Sequence, residues 1–149
     1  MNGRRTSLIT GASSGFGVEF AKLFARDGYD LVLVARSEPP MRELADSLAK
    51  AHAITATVIA KDLAAPHATE ELVADLGARG IQVDALVNNA GFAQYGPFVE
   101  ADPGVLHEMV SVNVVALTEL TRRCCRAWSS AGGEGSCTSG RSARSRPPP

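Results

Sequence analysis

Apolar and polar positions along the chain follow two periods. Residues 5–10 (RTSLIT), 29–35 (YDLVLVA), 54–60 (ITATVIA) and 83–88 (VDALVN) are short segments rich in apolar and β-branched residues, as buried strands require. Between them apolar residues recur at helical spacing. Phe16, Phe20, Leu23 and Phe24 do so within 15–27, closing near Asp27-Gly28. Met41, Leu44 and Leu48 share one face of a helix that opens at Pro39-Pro40 and runs to about Ala51. Leu72, Val73 and Leu76 face inward from a helix over about 66–76. After a loop rich in Gly and Pro, a last amphipathic helix runs from about Gly104 into the region of Arg122.

Strand and helix thus alternate four times at roughly 25-residue spacing. Right-handed crossovers then give an α/β fold, a Rossmann-type doubly wound parallel sheet of about four βα units. The expected strand order is 3-2-1-4.

Composition changes this picture at one point. A length of 149 residues, 45% apolar and 21% charged, suits one globular domain. The net charge of −1 conceals a break: residues 1–122 hold 10 Lys and Arg against 15 Asp and Glu, a net of −5, and residues 123–149 hold five Arg and one Glu, a net of +4. Cys124, Cys125 and Cys137 all fall after that break, and the last stretch has few apolar residues, no period and a terminal triple proline. Residues 1–122 are therefore expected to form the domain and 123–149 a disordered tail.

The cysteines are read as free thiols, because no His follows Cys124 and Cys125 at ligand spacing. His52, His67 and His107 lie far apart on helices or their ends and are read as surface residues. No apolar run approaches the ~18 residues of a membrane span. The basic N-terminus breaks at Gly11, too early for a signal peptide. The expectation is a cytoplasmic protein without membrane contact. The acidic body lacks a basic stripe for nucleic acid.

The chemistry is carried by a turn between the first strand and the first helix, Thr10-Gly11-Ala12-Ser13-Ser14-Gly15-Phe16-Gly17. Gly11 permits a tight turn, Gly15 lets the backbone approach a diphosphate, and Gly17 lets the helix pack close to the sheet. The amides and positive dipole end of that helix then hold phosphates. With its spacing G-x-x-x-G-x-G the chain resembles the short-chain dehydrogenase/reductase family. Asn88-Asn89-Ala90-Gly91, closing the fourth strand, is a second match to that family. Its small residues let a ribose lie against the backbone, and its Asn side chains tie neighbouring strands.

The second strand ends in Ala35-Arg36, where an NAD-selecting protein usually places a carboxylate on the ribose 2′-OH. A guanidinium there can grip a 2′-phosphate by paired hydrogen bonds. The resemblance supports the same choice, NADP over NAD. It also assigns Asp62-Leu63 to the adenine, although Asp62 taken alone would be a helix N-cap. The cofactor-binding set is then Gly11, Ser13, Ser14, Gly15, Phe16, Gly17, Arg36, Asp62, Leu63, Asn89, Ala90 and Gly91. The resemblance makes Asn113 the catalytic Asn, which bends its helix and holds a water in a proton relay.

What the resemblance implies is hydride exchange between a nicotinamide and a carbonyl or secondary alcohol, in a homo-oligomeric enzyme. A Tyr hydroxyl moves the proton, its pKa lowered by a Lys four residues on, and a Ser orients the oxygen. Tyr29 and Tyr95 are followed at that distance by Leu33 and Val99, and Lys61 is the last lysine. The chain is thus expected to be a truncated, inactive member. A shifted reading frame from Arg123 permits LLPGMVERGGRGILHVGSVGAFQAAP, which resembles the family's continuation, with a strand ILHV and a Gly-Ser at the catalytic serine. On this view the fourth strand's outer edge is uncovered and the Asn113 helix loses its subunit-packing surface. The alternative is a non-catalytic dinucleotide-binding or interaction module whose basic tail meets an acidic partner.

Overall fold

The structure is a computed structural model that describes residues 3–130, Gly132 and the backbone of residues 136–139. Its strands are β1 (Thr6–Thr10), β2 (Asp30–Ala35), β3 (Ala56–Ala60), β4 (Ala85–Asn88) and β5 (Ser136–Ser139). Its helices are α1 (Phe16–Arg26), α2 (Glu38–His52), α3 (Ala68–Ala78), α4 (Pro103–Val110) and α5 (Leu117–Ser130), the last two joined by a π-helical segment, Ser111–Ala116. All strand pairs are parallel and the sheet order is β3-β2-β1-β4-β5. The first four follow the order expected from the alternation of strands and helices.

Successive side chains of a strand point to opposite faces, and the strands supply two cores. Ile9, Leu31, Leu33 and Val87 face α1 and α2, against Ala21, Ala25, Met41, Ala45 and Leu48. Leu8, Val32, Val34 and Leu86 face α3 and α5, against Leu72, Leu76, Leu120 and Cys124. Each fully buried Leu, Ile or Val contributes about 1.5–3 kcal/mol, which explains why these strands read as continuous apolar runs. The face of α1 that meets the sheet is Gly17, Ala21 and Ala25, with Phe20 and Phe24 only half buried beside it. Small residues let the helix axis approach the sheet, while Phe16 is left 80% exposed.

One core position is poorly matched. Ser7 is fully buried in β1, and its hydroxyl has no hydrogen-bond partner among the described residues. An unsatisfied buried hydroxyl is destabilising by about 1–3 kcal/mol. Ser7→Ala is therefore expected to raise the melting temperature by a few degrees; an unchanged or lower value in a thermal melt would show that the hydroxyl is satisfied.

Two expectations for the C-terminal part are corrected. The helix does not stop near Arg122; α5 runs to Ser130. Its apolar face continues at four-residue spacing through Leu120, Cys124 and Trp128, with Cys124 buried and Trp128 packed on the same core. The Trp128 indole N–H also donates to the Val83 carbonyl. The outer edge of β4 is not bare either, because Ser136–Ser139 pairs with Ala85–Asn88 in parallel. Residues 123–130 thus continue α5, and residues 136–139 pair with β4. The rest of the segment expected to be disordered, 140–149 included, lies outside the described residues.

Among the described residues no helix is long and apolar enough to cross a membrane.

Candidate functional site

The site lies at the C-terminal ends of β1, β2, β3 and β4, where an open parallel sheet places its ligand crevice. Gly11, φ 66°, turns the chain sharply after β1, and Gly15, φ 56° and ψ −136°, turns it again into α1. Side chains other than hydrogen strain both conformations. A Cβ on Gly11 would stand 2.9 Å from the Ala90 Cα, and one on Gly17 would stand 2.2 Å from the Gly11 carbonyl oxygen. Gly17 thus sets how closely α1 begins against the turn. Gly15 supplies no side-chain cap, so the first amides of α1 are open to an anion.

The Asn-Asn-Ala-Gly segment is locked to this turn. The Thr10 hydroxyl accepts from the amides of Asn89 and Ala90, each at 3.0 Å. The Asn89 side-chain amide donates to the carbonyls of Thr10 and Gly11 at 3.1 and 3.2 Å. Asn88 reaches the other way, donating to the Thr121 hydroxyl on α5 at 2.9 Å. Asn89 ties β4 to the end of β1, a neighbouring strand as the sequence reading had it, whereas the Asn88 bond runs to a helix.

A cleft of about 440 Å³ opens above these strand ends. Gly11, Ser13, Ser14 and Phe16 form one wall, Asn89, Ala90 and Gly91 another, and Arg36, Asp62 and Leu63 a third. Gly15, Gly17 and Asn113 do not line it; Gly15 is exposed at the turn, and Gly17 and Asn113 hold the backbone next to the lining. The Arg36 side chain is exposed and has no hydrogen bond or ion pair among the described residues. Asp62 caps no helix, since α3 starts only at Ala68; its Oδ1 accepts from the Ala64 amide at 2.9 Å and so braces the turn after β3.

Sequence reasoning missed further lining groups, among them Ser37, Lys61, Phe92, Glu108 and Val112. Ser37 and Lys61 had a signal, since each follows or precedes a residue already singled out at a strand end. Val112 and Glu108 had none, because only the fold brings α4 and the π segment over the cleft. Lys61 Nζ pairs with Glu71 of α3 at 2.6 Å. The Lys61 ammonium, by hydrogen bond first and by charge second, holds the Glu71 carboxyl below its usual range.

Asn113 sits inside the π-helical segment, as expected of a residue that distorts its helix. Its side chain accepts from the Phe92 amide at 3.1 Å and donates to the Phe92 carbonyl at 2.8 Å. Its Oδ1 also stands where a Cβ on Gly91 would come within 2.8 Å. One residue therefore clasps the loop after β4 to the distorted helix. Asn113→Ala leaves two backbone groups of Phe92 unpaired, each worth about 1–3 kcal/mol when buried. The expected result is a melting temperature lower by several degrees with the loop the first segment to exchange amide hydrogens; unchanged exchange at Phe92 would contradict the clasp.

Neither tyrosine enters the cleft. Tyr29 precedes β2 at the opposite end of the sheet, under the Arg5 guanidinium at 4.3 Å and against Phe24. Tyr95 is 91% exposed on the loop. His52, His67 and His107 are exposed, and no cluster of three potential metal ligands occurs among the described residues.

The profile of the short chain dehydrogenase family matches residues 5–141. A short chain dehydrogenase of Pseudocercospora fijiensis is 37% identical over 120 residues, covering 79% of this chain and 38% of that protein. The bulky-bulky ketone specific alcohol dehydrogenase of Comamonas testosteroni superposes with a TM-score of 0.83 at 36% identity, over 91% of this chain and 53% of that one. A short-chain dehydrogenase of Sphingobium yanoikuyae, solved in complex with NADPH, superposes with a TM-score of 0.84 at 34% identity, over 91% and 52%. The chain thus spans about half or less of the length of these relatives. Its two glycine and asparagine motifs, its strand order and this match across residues 5–141 show that the chain belongs to the short-chain dehydrogenase/reductase family of oxidoreductases.

Proposed function

We propose that this chain binds NADP(H) in the cleft above β1, β2, β3 and β4, as the cofactor half of a carbonyl or alcohol oxidoreductase. The observation that carries the reading is Arg36, a cation with no partner among the described residues, on the same cleft as the glycine turn and directly after the position where a 2′-OH-binding carboxylate would stand. The cleft suits the group: open amides at the start of α1 for the diphosphate, small residues Ala90 and Gly91 for a ribose, and Asp62 beside Leu63 for the adenine. The complex of the Sphingobium yanoikuyae relative with NADPH supports the same cofactor.

When bound, the nicotinamide supplies or takes the hydride. The residues of this chain bind, orient and shield. Ser13, Ser14 and the amides of α1 hold phosphate oxygens. Arg36 holds the 2′-phosphate, and Asn89 keeps the glycine turn rigid. Asn113 uses one N–H and one oxygen lone pair on Phe92, which leaves one of each for a relay water.

These 149 residues contain no Tyr with a Lys four positions on. The reading is therefore binding without turnover. A fluorescence titration with NADPH beside an assay on simple ketones tests it. Saturable binding with no ketone reduction is expected; reduction above background would contradict the count of catalytic groups, and no NADPH binding would remove the cofactor assignment.

A further inference from the structure

We propose that Lys61 is a second cation for the ribose 2′-phosphate, and that Glu71 competes with that phosphate for it. The inference rests on the NADP(H) reading above and concerns which of this chain's residues set the preference for NADP(H) over NAD(H).

The geometry starts from strand register. Ala35 and Ala60 are partners at the ends of β2 and β3. The next residues are Arg36 and Lys61, and the Lys61 amide donates to the Ala35 carbonyl at 2.9 Å. Neighbouring parallel strands lie ~4.8 Å apart, and partners in register point to the same face. Two long cationic side chains therefore leave the top of the sheet side by side, and both line the cleft.

They differ in what holds them. Arg36 is exposed and has no partner among the described residues. The Lys61 side chain is only 23% exposed and is drawn towards α3 by Glu71, whose own side chain is 62% exposed. An ion pair with one partner so open to water is weak and screened. A dianionic phosphate arriving beside Arg36 offers the ammonium more charge and several acceptor oxygens. Four rotatable bonds let the ammonium swing from one to the other while the Lys61 backbone stays fixed in the sheet. The other carboxylates on this rim are Asp62, with Oδ1 held by the Ala64 amide, and Glu108 on α4. Neither is hydrogen-bonded to Lys61.

The competition has a sign. Removing Lys61 weakens NADPH and spares NADH, which lacks the phosphate. Neutralising Glu71 releases Lys61 and tightens NADPH.

Direct titration of the full chain with NADPH and NADH, at low and moderate salt, reads this without turnover. Lys61→Met is expected to weaken NADPH about tenfold, the effect of one charge-assisted hydrogen bond, with NADH changed less than about twofold. Lys61→Arg restores most of the NADPH affinity. Glu71→Gln tightens NADPH about threefold, and the Lys61→Met, Glu71→Gln double variant shows no such gain. Equal losses for both dinucleotides in Lys61→Met, or no loss in either, overturn the assignment. A gain in Glu71→Gln that survives the loss of Lys61 overturns the competition. If the unaltered chain binds neither dinucleotide, the failure belongs to the NADP(H) reading. Thermal melts of the variants within a few degrees of the parent exclude misfolding as the cause; if Lys61→Met unfolds, Lys61→Gln with Glu71→Gln carries the same comparison.

Discussion

Gly17→Ala is expected to lower the melting temperature by about 2–12 °C and to abolish measurable NADPH binding. The added Cβ would lie 2.2 Å from the Gly11 carbonyl oxygen, 2.8 Å from the Gly11 carbonyl carbon and 2.8 Å from Asn89 Nδ2. None of these atoms is the loose end of a flexible side chain. The carbonyl belongs to the glycine turn, and Nδ2 is already fixed by the Thr10 and Gly11 carbonyls. Relief requires α1 to move away from the turn. Overpacking of this kind is destabilising by about 1–3 kcal/mol, and each kcal/mol moves the midpoint of a domain this size by ~2–4 °C. The same movement withdraws the α1 amides from the place where a diphosphate would bridge them. Gly77→Ala in α3 is the control, since a Cβ there meets nothing within 4 Å. Calorimetric melting of both variants reads the difference. A Gly17→Ala chain that melts and binds like its parent would show that the close approach of α1 to the turn is not required.

Arg36→Asp carries the second large effect. It is expected to weaken NADPH about a hundredfold or more while leaving NADH within a few fold. The substitution removes a charge-assisted contact, worth about 1.5–3 kcal/mol, and places a carboxylate against the phosphate. Because Arg36 has no protein partner among the described residues, its replacement disturbs no packing, so the parent and variant melts should coincide. Equal losses for both dinucleotides would remove Arg36 from the 2′-phosphate.

The fold was legible wherever two periods separate cleanly. Leu31 to Val34 reads as a strand because every residue is buried, on alternate faces, and Met41, Leu44 and Leu48 read as one helix face because the spacing is unbroken. The cleft was legible where backbone chemistry demands particular residues: Gly11, Gly15, Gly17 and Gly91 stand where a positive φ or close approach disfavours any side chain. Lys61 was legible only as the neighbour of Asp62; its place beside Arg36 was hidden, since strand register is a property of the sheet. Glu108 and Val112 were hidden because α4 and the π segment reach the cleft through tertiary packing alone.

The end of α5 and the partner of β4 were not legible, for a different reason. Arginines and cysteines after residue 122 obscured an apolar face that Leu120, Cys124 and Trp128 carry on to Ser130. Ser136-Cys137-Thr138-Ser139 lacks the apolar run expected beside Leu86 and Val87, both fully buried, yet topology leaves a place for a parallel strand there and the chain fills it. Arg123, where the change of texture begins, has a buried Nε without a partner among the described residues. Local chemistry and global fold disagree in this segment, whereas they agree in the first 122 residues. The shifted reading from Arg123 would place Leu at that half-buried position and Ile-Leu-His-Val about where β5 lies.

Calorimetric titration of the full 149-residue chain with NADPH and with NADH, at one salt concentration, tests the central claim most directly. One-to-one, saturable binding of NADPH, at least about tenfold tighter than NADH, is the predicted result. Heat of dilution alone from both dinucleotides would contradict it.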